Sequence, residues 1–426
     1  MIDLGGDYPE FNFVAQLEEA RLEKLGLLSR GDSLVNLVAG IRANFIAPSI
    51  DALEGVINLN DLVYTEKGQT YKAGRILLST SALADGTRSL NLLSDFADAD
   101  LRGKVFFTRI PATIGIFVSN YLNSFRRQEA PLQEDYSGQS FAYNIHLKNL
   151  DMITGLFVPW LNISHHTRFR GHFDSYKRLF NLDGTIDTLT IYGIRMNRFI
   201  LNGHSQHDRI SLHMGCERAL FYNAGDEKAS GYGIDSLQFV ANIRQDSILF
   251  SMGWDDKGNS DQNLGMIRGY AGFSQYPTVH VRLTQGKIRI NDSLYHIMPD
   301  HQITLEPEVL RISRFRLQGA RESLFLEGSL GNDSTHRLQA LFHNFNLSNA
   351  DMFLQPSRIN PDGVMNGNIS FRQMNGKPVL YSDLRVEGFR LNEQDLGHLD
   401  FHSEWDPLEE ALSLKVTAEL KTDQYK

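Results

Sequence analysis

The sequence predicts a mainly β fold, an antiparallel meander that extends sideways strand by strand and carries one or two short helices. Apolar and polar residues alternate over most of the chain, as the side chains of half-buried strands do. Only two segments have the period of an amphipathic helix. Turn-forming pairs separate the alternating segments: Asp85-Gly86, Asp183-Gly184, Lys257-Gly258, Gly331-Asn332, Asp362-Gly363 and Asn375-Gly376.

Strict alternation predicts strands along the whole chain. From Ser94 to Phe107, Leu101 and its apolar neighbours point to one side of an extended segment, while Asp98 and Asp100 point to the other. Further strands are predicted over residues 55–64, 184–196, 233–243, 280–290, 323–330 and 383–391. A slip in the alternation near Ser313 predicts a β-bulge.

Two segments are predicted helices that dock on the sheet or cap it. In "IPATIGIFVSNYLNSF", apolar residues recur at i, i+3, i+4 and i+7, and Pro111 suits a first helical position. The second segment, "LKNLDMITGLFVPWL", ends at Pro159. We therefore expect a sheet segment at residues 1–108, a helical insertion with a connecting loop at 109–160, and a continued sheet segment at 161–426, all within one elongated architecture.

Composition narrows the classes of partner and leaves the compartment open. The 426 residues carry a formal net charge of -9 with the two signs interspersed, so we expect no nucleic-acid partner. A single cysteine, Cys216, excludes an intrachain disulfide. Neither a signal peptide nor a transmembrane segment is recognised in the sequence. Because the strand pattern stops abruptly at "SLKVTAELKTDQYK", we expect the chain to be part of a longer protein.

A loose group of possible metal ligands lies in "GHSQHDRISLHMGC". It contains His204, His207, His213 and Cys216, but their spacing matches no established zinc signature. The same segment alternates as a strand, a turn and a second strand. We therefore expect no metal site here.

Paired carboxylates are the other candidates for chemistry. Asp98 and Asp100 share a strand face, as an acid/base pair would, yet Arg102 and Lys104 continue the same row. A solvated ladder of charges therefore explains them better. The sequence has no nucleophile elbow, phosphate-binding loop, dinucleotide fingerprint or zinc-protease helix. We expect no enzymatic activity and no cofactor.

Several segments resemble the TamB family of Bacteroidota, the translocation and assembly module proteins related to AsmA-like proteins. They are "PSIDALEGVINLNDLVYTEKGQTYKAGRILLST", "RSLNLLSDFADADLRGKVFF", "FNLDGTIDTLTIYG", "SLYHIMPDHQITLEPEVLRISRFRLQG" and "LRVEGFRLNEQDLGHLDFHSEWD". The resemblance covers residues 3–420, and its specificity lies in the order of these segments. It implies an elongated, curled antiparallel sheet, a β-taco or groove, that is incomplete at both ends here.

The resemblance also implies a function. Members of the family are periplasmic bridges whose apolar groove conducts phospholipids between the inner and outer membranes, with a role in outer-membrane biogenesis. A membrane helix anchors them in the inner membrane, and a terminal domain engages an outer-membrane β-barrel assembly protein of the BamA/TamA type. The chain shows neither region, so both contacts are expected to depend on segments outside it.

The groove would be lined by residues on the apolar side of the predicted strands, where phospholipid acyl chains would bind. The candidates are Leu101, Val105, Phe107, Ile186, Ile191, Phe239, Leu324, Leu326 and Val386. For each of them, packing within the protein core is the competing interpretation.

Two other functions stay open. The chain could be a structural or chaperone-like partner in outer-membrane β-barrel assembly and secretion, which pairs a sheet edge with a nascent strand. It could also be an all-β enzyme acting on polysaccharide, which would need two carboxylates that converge in a cleft.

Overall fold

The computed structural model describes residues 2–3, 8–21, 35–66, 69–125, 138–150, 154, 158, 160–206, 208–221, 232–255, 264–275, 277–290, 293–350, 360–374, 377–392, 394–406 and 411–419. Contacts divide the chain into two compact units. Unit 1 comprises Met1–Asn120 and Arg127–Met214, and unit 2 comprises Tyr121–Arg126 and Gly215–Lys426. The predicted division at residues 108 and 160 stays a prediction.

Unit 1 is built of antiparallel strands. They are β1 (Ile2–Asp3), β2 (Glu10–Arg21), β3 (Val35–Ile46), β4 (Glu54–Glu66), β5 (Gln69–Ala82), β6 (Arg88–Ser94), β7 (Ala97–Lys104), β8 (Ser140–Leu147), β9 (Leu161–Ile163), β10 (Thr167–Asp174), β11 (Leu179–Ile191) and β12 (Ile194–Gln206). The division between the units falls within β13 (Arg209–Phe221).

Unit 2 continues the same construction. Its strands are β14 (Tyr232–Arg244), β15 (Ser247–Asp255), β16 (Leu264–Gln275), β17 (Thr278–Ile290), β18 (Ser293–Ile297), β19 (Gln302–Glu306), β20 (Val309–Gln318), β21 (Ser323–Leu330), β22 (Arg337–Asn346), β23 (Pro361–Met374), β24 (Lys377–Leu391), β25 (Gln394–Asp406) and β26 (Ala411–Glu419). Most strands pair with the strand that follows them in the chain, as expected for a meander.

Helical structure is sparse among the described residues. The helix α1 (Ile110–Ser119) has Pro111 in its first turn. Short 3-10 segments occur at Ile50–Ala52, Phe107–Arg109, Asn123–Phe125 and Leu347–Ala350. The second predicted helix lies mainly outside the described residues, although the Thr154 N–H donates to Leu150 O at 2.8 Å, as in a helical turn. The predicted class, a mainly β antiparallel chain with a short helix, is confirmed.

Several local predictions are confirmed. The strand predicted over residues 323–330 is β21, and the bulge predicted near Ser313 is a register shift between Ile312 and Phe315. Asp85-Gly86 and Gly331-Asn332 lie between paired strands. Lys257-Gly258 and Asn375-Gly376 lie outside the described residues.

Four local predictions were wrong. The strand predicted over residues 184–196 is a hairpin, because β11 ends at Ile191 and β12 begins at Ile194. The Asp183-Gly184 and Asp362-Gly363 pairs lie inside β11 and β23 rather than in turns. The strand predicted to reach Phe107 ends at Lys104, so Val105 lies beyond it and Phe107 begins a 3-10 segment.

Candidate functional site

Unit 1 has one apolar and one polar sheet face, and the register of its strands makes the difference explicit. Residues that are Cα partners on neighbouring strands point to the same face. One such set, the first apolar row, runs from β2 to β12: Phe13, Ala43, Ile57, Leu78, Leu92, Ala99, Ile145, Phe169, Gly184 and Leu201. Every member is apolar or glycine.

The opposite face of the same strands is polar. The corresponding set is Asn12, Asn44, Val56, Ser79, Asn91, Asp100, Asn144, Arg170, Asp183 and Asn202. Only Val56 departs from the pattern, and it is 43% exposed. The two faces of unit 1 therefore differ in polarity, with mostly polar side chains on one face and apolar side chains on the other.

Unit 2 has an equivalent second apolar row. It consists of Ile297, Leu317, Leu324, Phe342, Gly367, Leu384, Phe401 and Val416. Along this row, Ile297 is buried, the residues from Leu317 to Phe401 are half-buried, and Val416 on β26 is 49% exposed. Side chains that were covered by a second layer would lose this residual exposure. The central residues of the row therefore keep part of their surface exposed, although Phe342, Leu384 and Phe401 also pack against the buried core cluster around Val386.

The helix α1 covers one end of the apolar face in unit 1. Phe117 on α1 is buried against Phe173 and Phe180, with ring centroids 5.2 and 6.2 Å away. Gln139 is buried beside the helix, where its Nε2 donates to Thr113 Oγ1 at 2.6 Å. Its Oε1 accepts the N–H of Phe106 at 3.2 Å. These contacts fix the helix and the segment that leads into it.

The candidate lining residues divide into three groups. Leu101, Ile191, Phe239, Leu324 and Leu326 lie half-buried on the apolar faces of their strands. Ile186 and Val386 are on the same faces but fully buried, at 4% and 2% exposure. Val386 packs with Met365, Phe389 and Leu399 in a core cluster. Val105, at 2% exposure, and Phe107 lie past the end of β7.

An open cavity of about 390 Å³ lies where the apolar face of unit 2 meets the strand ends. Leu305, Leu310, Leu330 and Phe371 supply its apolar walls, and polar residues including Glu306 and Asn332 lie among the others that line it. This volume is within the roughly 300–1,000 Å³ of small-molecule pockets. Sequence alternation placed none of these residues at a cavity, because it reports the face of a strand and not the position of its end.

The described members of the possible metal-ligand group are not arranged as a metal site. His204 is exposed on β12, His207 lies outside the described residues, and Cys216 is buried on β13. Burial, with a smaller effect of the Asp235 charge, raises the pKa of the Cys216 thiol to about 11. Among the residues that the structure describes, no three His, Cys, Asp or Glu side chains are grouped so that they could hold a metal ion.

The paired carboxylates point into the polar face and are engaged by cations. Asp98 accepts from Lys148 Nζ at 2.6 Å, and Asp100 accepts from Arg102 Nε at 3.0 Å. Ion pairs of this kind on a half-exposed sheet face are typical of a charge ladder.

None of the described helices has the length and apolar character that a membrane span requires. Comparison with known protein families, with curated proteins and with solved structures finds no match to the chain. The two apolar rows are therefore the features of the chain that point to a function.

Proposed function

We propose that the apolar rows bind acyl chains, and that the chain is part of a TamB-like periplasmic bridge that conducts phospholipids between the inner and outer membranes. The observation that carries this proposal is the continuity of apolar side chains in register across neighbouring strands of each unit, with most central side chains still partly exposed.

A sheet of this kind can lower the cost of moving a lipid through water. A lipid that leaves a bilayer exposes apolar area at ~25 cal/mol per Å², and a continuous apolar face offsets that cost along the path. Neighbouring positions on the face are chemically alike. An acyl chain can therefore pass from one strand to the next without being trapped in a deep free-energy minimum. The transfer breaks no covalent bond.

Site-specific photo-crosslinking in cells tests the proposal with matched leucines. A photoreactive residue replaces Leu101 or Leu326 on the apolar faces, and replaces Leu93 or Leu341 on the polar faces as controls. Leu93 and Leu341 are each 51% exposed, so they are more accessible than the test positions. We expect phospholipid adducts from Leu101 and Leu326 only.

Equal lipid capture at the control positions would show adventitious lipid binding, and no capture at either test position would contradict the proposal. A transport assay adds a functional measurement. Leu326→Asp places a charge on the acyl path and is expected to block transport, whereas Leu341→Asp faces water and leaves it unchanged. Circular dichroism of both variants confirms that they fold.

The family resemblance supports a second role, as a structural or chaperone-like partner of an outer-membrane β-barrel assembly protein of the BamA/TamA type. Loss of barrel insertion in Leu326→Asp with lipid transport intact would favour this role over conduction. A polysaccharide-cleaving activity that is abolished by Asp98→Ala and Asp100→Ala would favour the enzyme alternative. The ion pairs of these carboxylates with Lys148 and Arg102 favour the charge ladder instead.

A further inference from the structure

The polar face of five consecutive strands in unit 2 is strongly basic, although the whole chain has a net charge of -9. The only acidic residue within β16–β20 is Glu306. The basic residues of these strands are Arg268, Arg282, Lys287, Arg289, Arg311, Arg314 and Arg316. We call this surface the basic face.

Register places these cations on the face opposite the apolar row. Arg282 is the Cα partner of Tyr270, and Lys287 is the partner of Met266. The alternate positions, such as Ala271 with Val281, point to the apolar side. The positive charges of β16 and β17 therefore project together from one side of the sheet.

Little of this charge is neutralised within the described residues. Glu306 pairs with Arg311 at 3.2 Å. Among the residues that the structure describes, Arg282 and Lys287 form no ion pair, and Arg289 Nε is buried without a hydrogen-bond partner. Arg282 and Lys287 are exposed, so their charges are available to an external anion.

A cavity of about 390 Å³ adjoins the basic face, and Arg282 is the member of that face that lines it. Polar groups on Tyr270, His280, Arg282 and Gln302 line it, together with Asp246, Gly272, Phe273 and Val281. His280 Nδ1 lies 3.4 Å from Gln302 Nε2 and 3.2 Å from Thr304 Oγ1. The one carboxylate, that of Asp246, accepts the Ser124 N–H at 2.8 Å and Oγ–H at 2.7 Å. These bonds stabilise its charge internally.

We propose that the basic face docks on an anionic phospholipid bilayer and that this cavity receives a headgroup phosphate. An arginine guanidinium matches phosphate oxygens in geometry and charge. Leu249, 60% exposed, is the Cα partner of Tyr270, so an apolar and an aromatic side chain adjoin the cations. That combination suits an interface between headgroups and acyl chains. This inference concerns the face opposite the apolar rows and does not rest on the proposed function.

Vesicle flotation of the full chain tests the inference. We compare phosphatidylcholine vesicles with vesicles that also contain phosphatidylglycerol, at low and high salt. Binding is expected only with phosphatidylglycerol, and salt should weaken it. Each cation near the surface contributes about fivefold to affinity, so Arg282→Gln and Lys287→Gln should each weaken binding by that factor. Lys415→Gln on β26 removes the same charge outside the basic face and should leave binding unchanged.

Three outcomes would overturn the inference. They are equal binding to both kinds of vesicle, equal loss in Lys415→Gln and Arg282→Gln, and displacement from vesicles by inorganic phosphate or by a duplex oligonucleotide at constant ionic strength. The Leu326 crosslinking assay is independent of these charges, so its failure would leave the bilayer inference standing. Failure of the vesicle assay would likewise leave the proposed acyl-chain binding standing.

Discussion

Phe117 of α1 packs edge-on against Phe173 of β10, with ring centroids 5.2 Å apart and ring planes inclined at 64°. Phe173 also contacts Phe141 of β8, its Cα partner, with centroids 5.6 Å apart. A helix side chain thus fills the same apolar surface that acyl chains are proposed to use elsewhere in unit 1. Through this contact, α1 covers one end of that apolar surface.

Removing this ring should loosen the helix. Phe117→Ala is expected to lower the free energy of unfolding by about 3 kcal/mol, because the side chain is buried and its loss leaves a cavity among aromatic rings. Ile114→Ala on the same helix is the control. Its side chain is 47% exposed, so we expect a change within about 0.5 kcal/mol. Chemical denaturation that gives equal changes for both variants would contradict the packing role of α1.

Gly367 in the second apolar row allows two strands to approach closely. Its φ is +125°, and a Cβ there would fall against the carbonyl oxygen of Asp383 on β24. Gly367→Ala is therefore expected to cost about 3 kcal/mol of stability. Gly86 also has positive φ, at +78°, but nothing lies near its missing Cβ. Gly86→Ala should cost only about 1 kcal/mol, and equal thermal shifts for the two variants would argue against close approach.

Strand positions could be predicted where the alternation ends at a polar turn. β21 matches its prediction because Gly331 and Asn332 interrupt the pattern after Leu330. The hairpin between β11 and β12 was missed because Tyr192 and Gly193 adopt φ of +48° and +81° in a two-residue turn. Such a turn leaves apolar residues on both sides of it, so no polar residue interrupts the alternation.

Glycine was also misleading as a turn signal inside strands. Gly184 follows an aspartate, as turn glycines often do, yet it lies in the first apolar row beside the Phe169 ring. Its role is to leave room for that ring. The docking of α1 on the sheet was predicted from its apolar period, and its packing against Phe173 confirms it. The cavities and the end of the sheet that α1 covers could not be predicted, because they depend on which strand ends and helices meet in space rather than on periodicity.

Cys216 provides a site-specific probe, since it is the chain's only cysteine. Burial raises the pKa of its thiol to about 11, so little thiolate is present at mildly alkaline pH. We expect the folded chain to resist alkylation by iodoacetamide, and the denatured chain to react at the ordinary rate of a free cysteine. Mass spectrometry of the two samples measures the difference. Rapid labelling of the folded chain would contradict the burial of Cys216 in β13.

The ion pair between Asp362 and Arg390 makes stability depend on pH. The hydrogen bond from the Arg390 guanidinium, helped by the N–H of Gly363, holds the pKa of Asp362 below its ordinary value of 3.8 although partial burial opposes the shift. A folded-state pKa below the unfolded one means that the unfolded chain binds protons more readily. The contribution of the pair is therefore complete above the unfolded pKa and is lost as the pH falls through the folded one.

Asp362→Asn isolates this contribution. The wild type should exceed the variant in stability at neutral pH, and the difference should shrink once the pH falls below about 3.8. Arg390→Gln removes the main cause of the shift, so it should abolish most of the same pH dependence. Denaturant midpoints across acidic pH measure both effects. Because the carboxylate is partly exposed, salt should reduce them as well. A stability difference that stays constant from neutral to strongly acidic pH would show that Asp362 acts through packing in β23 and not through its charge.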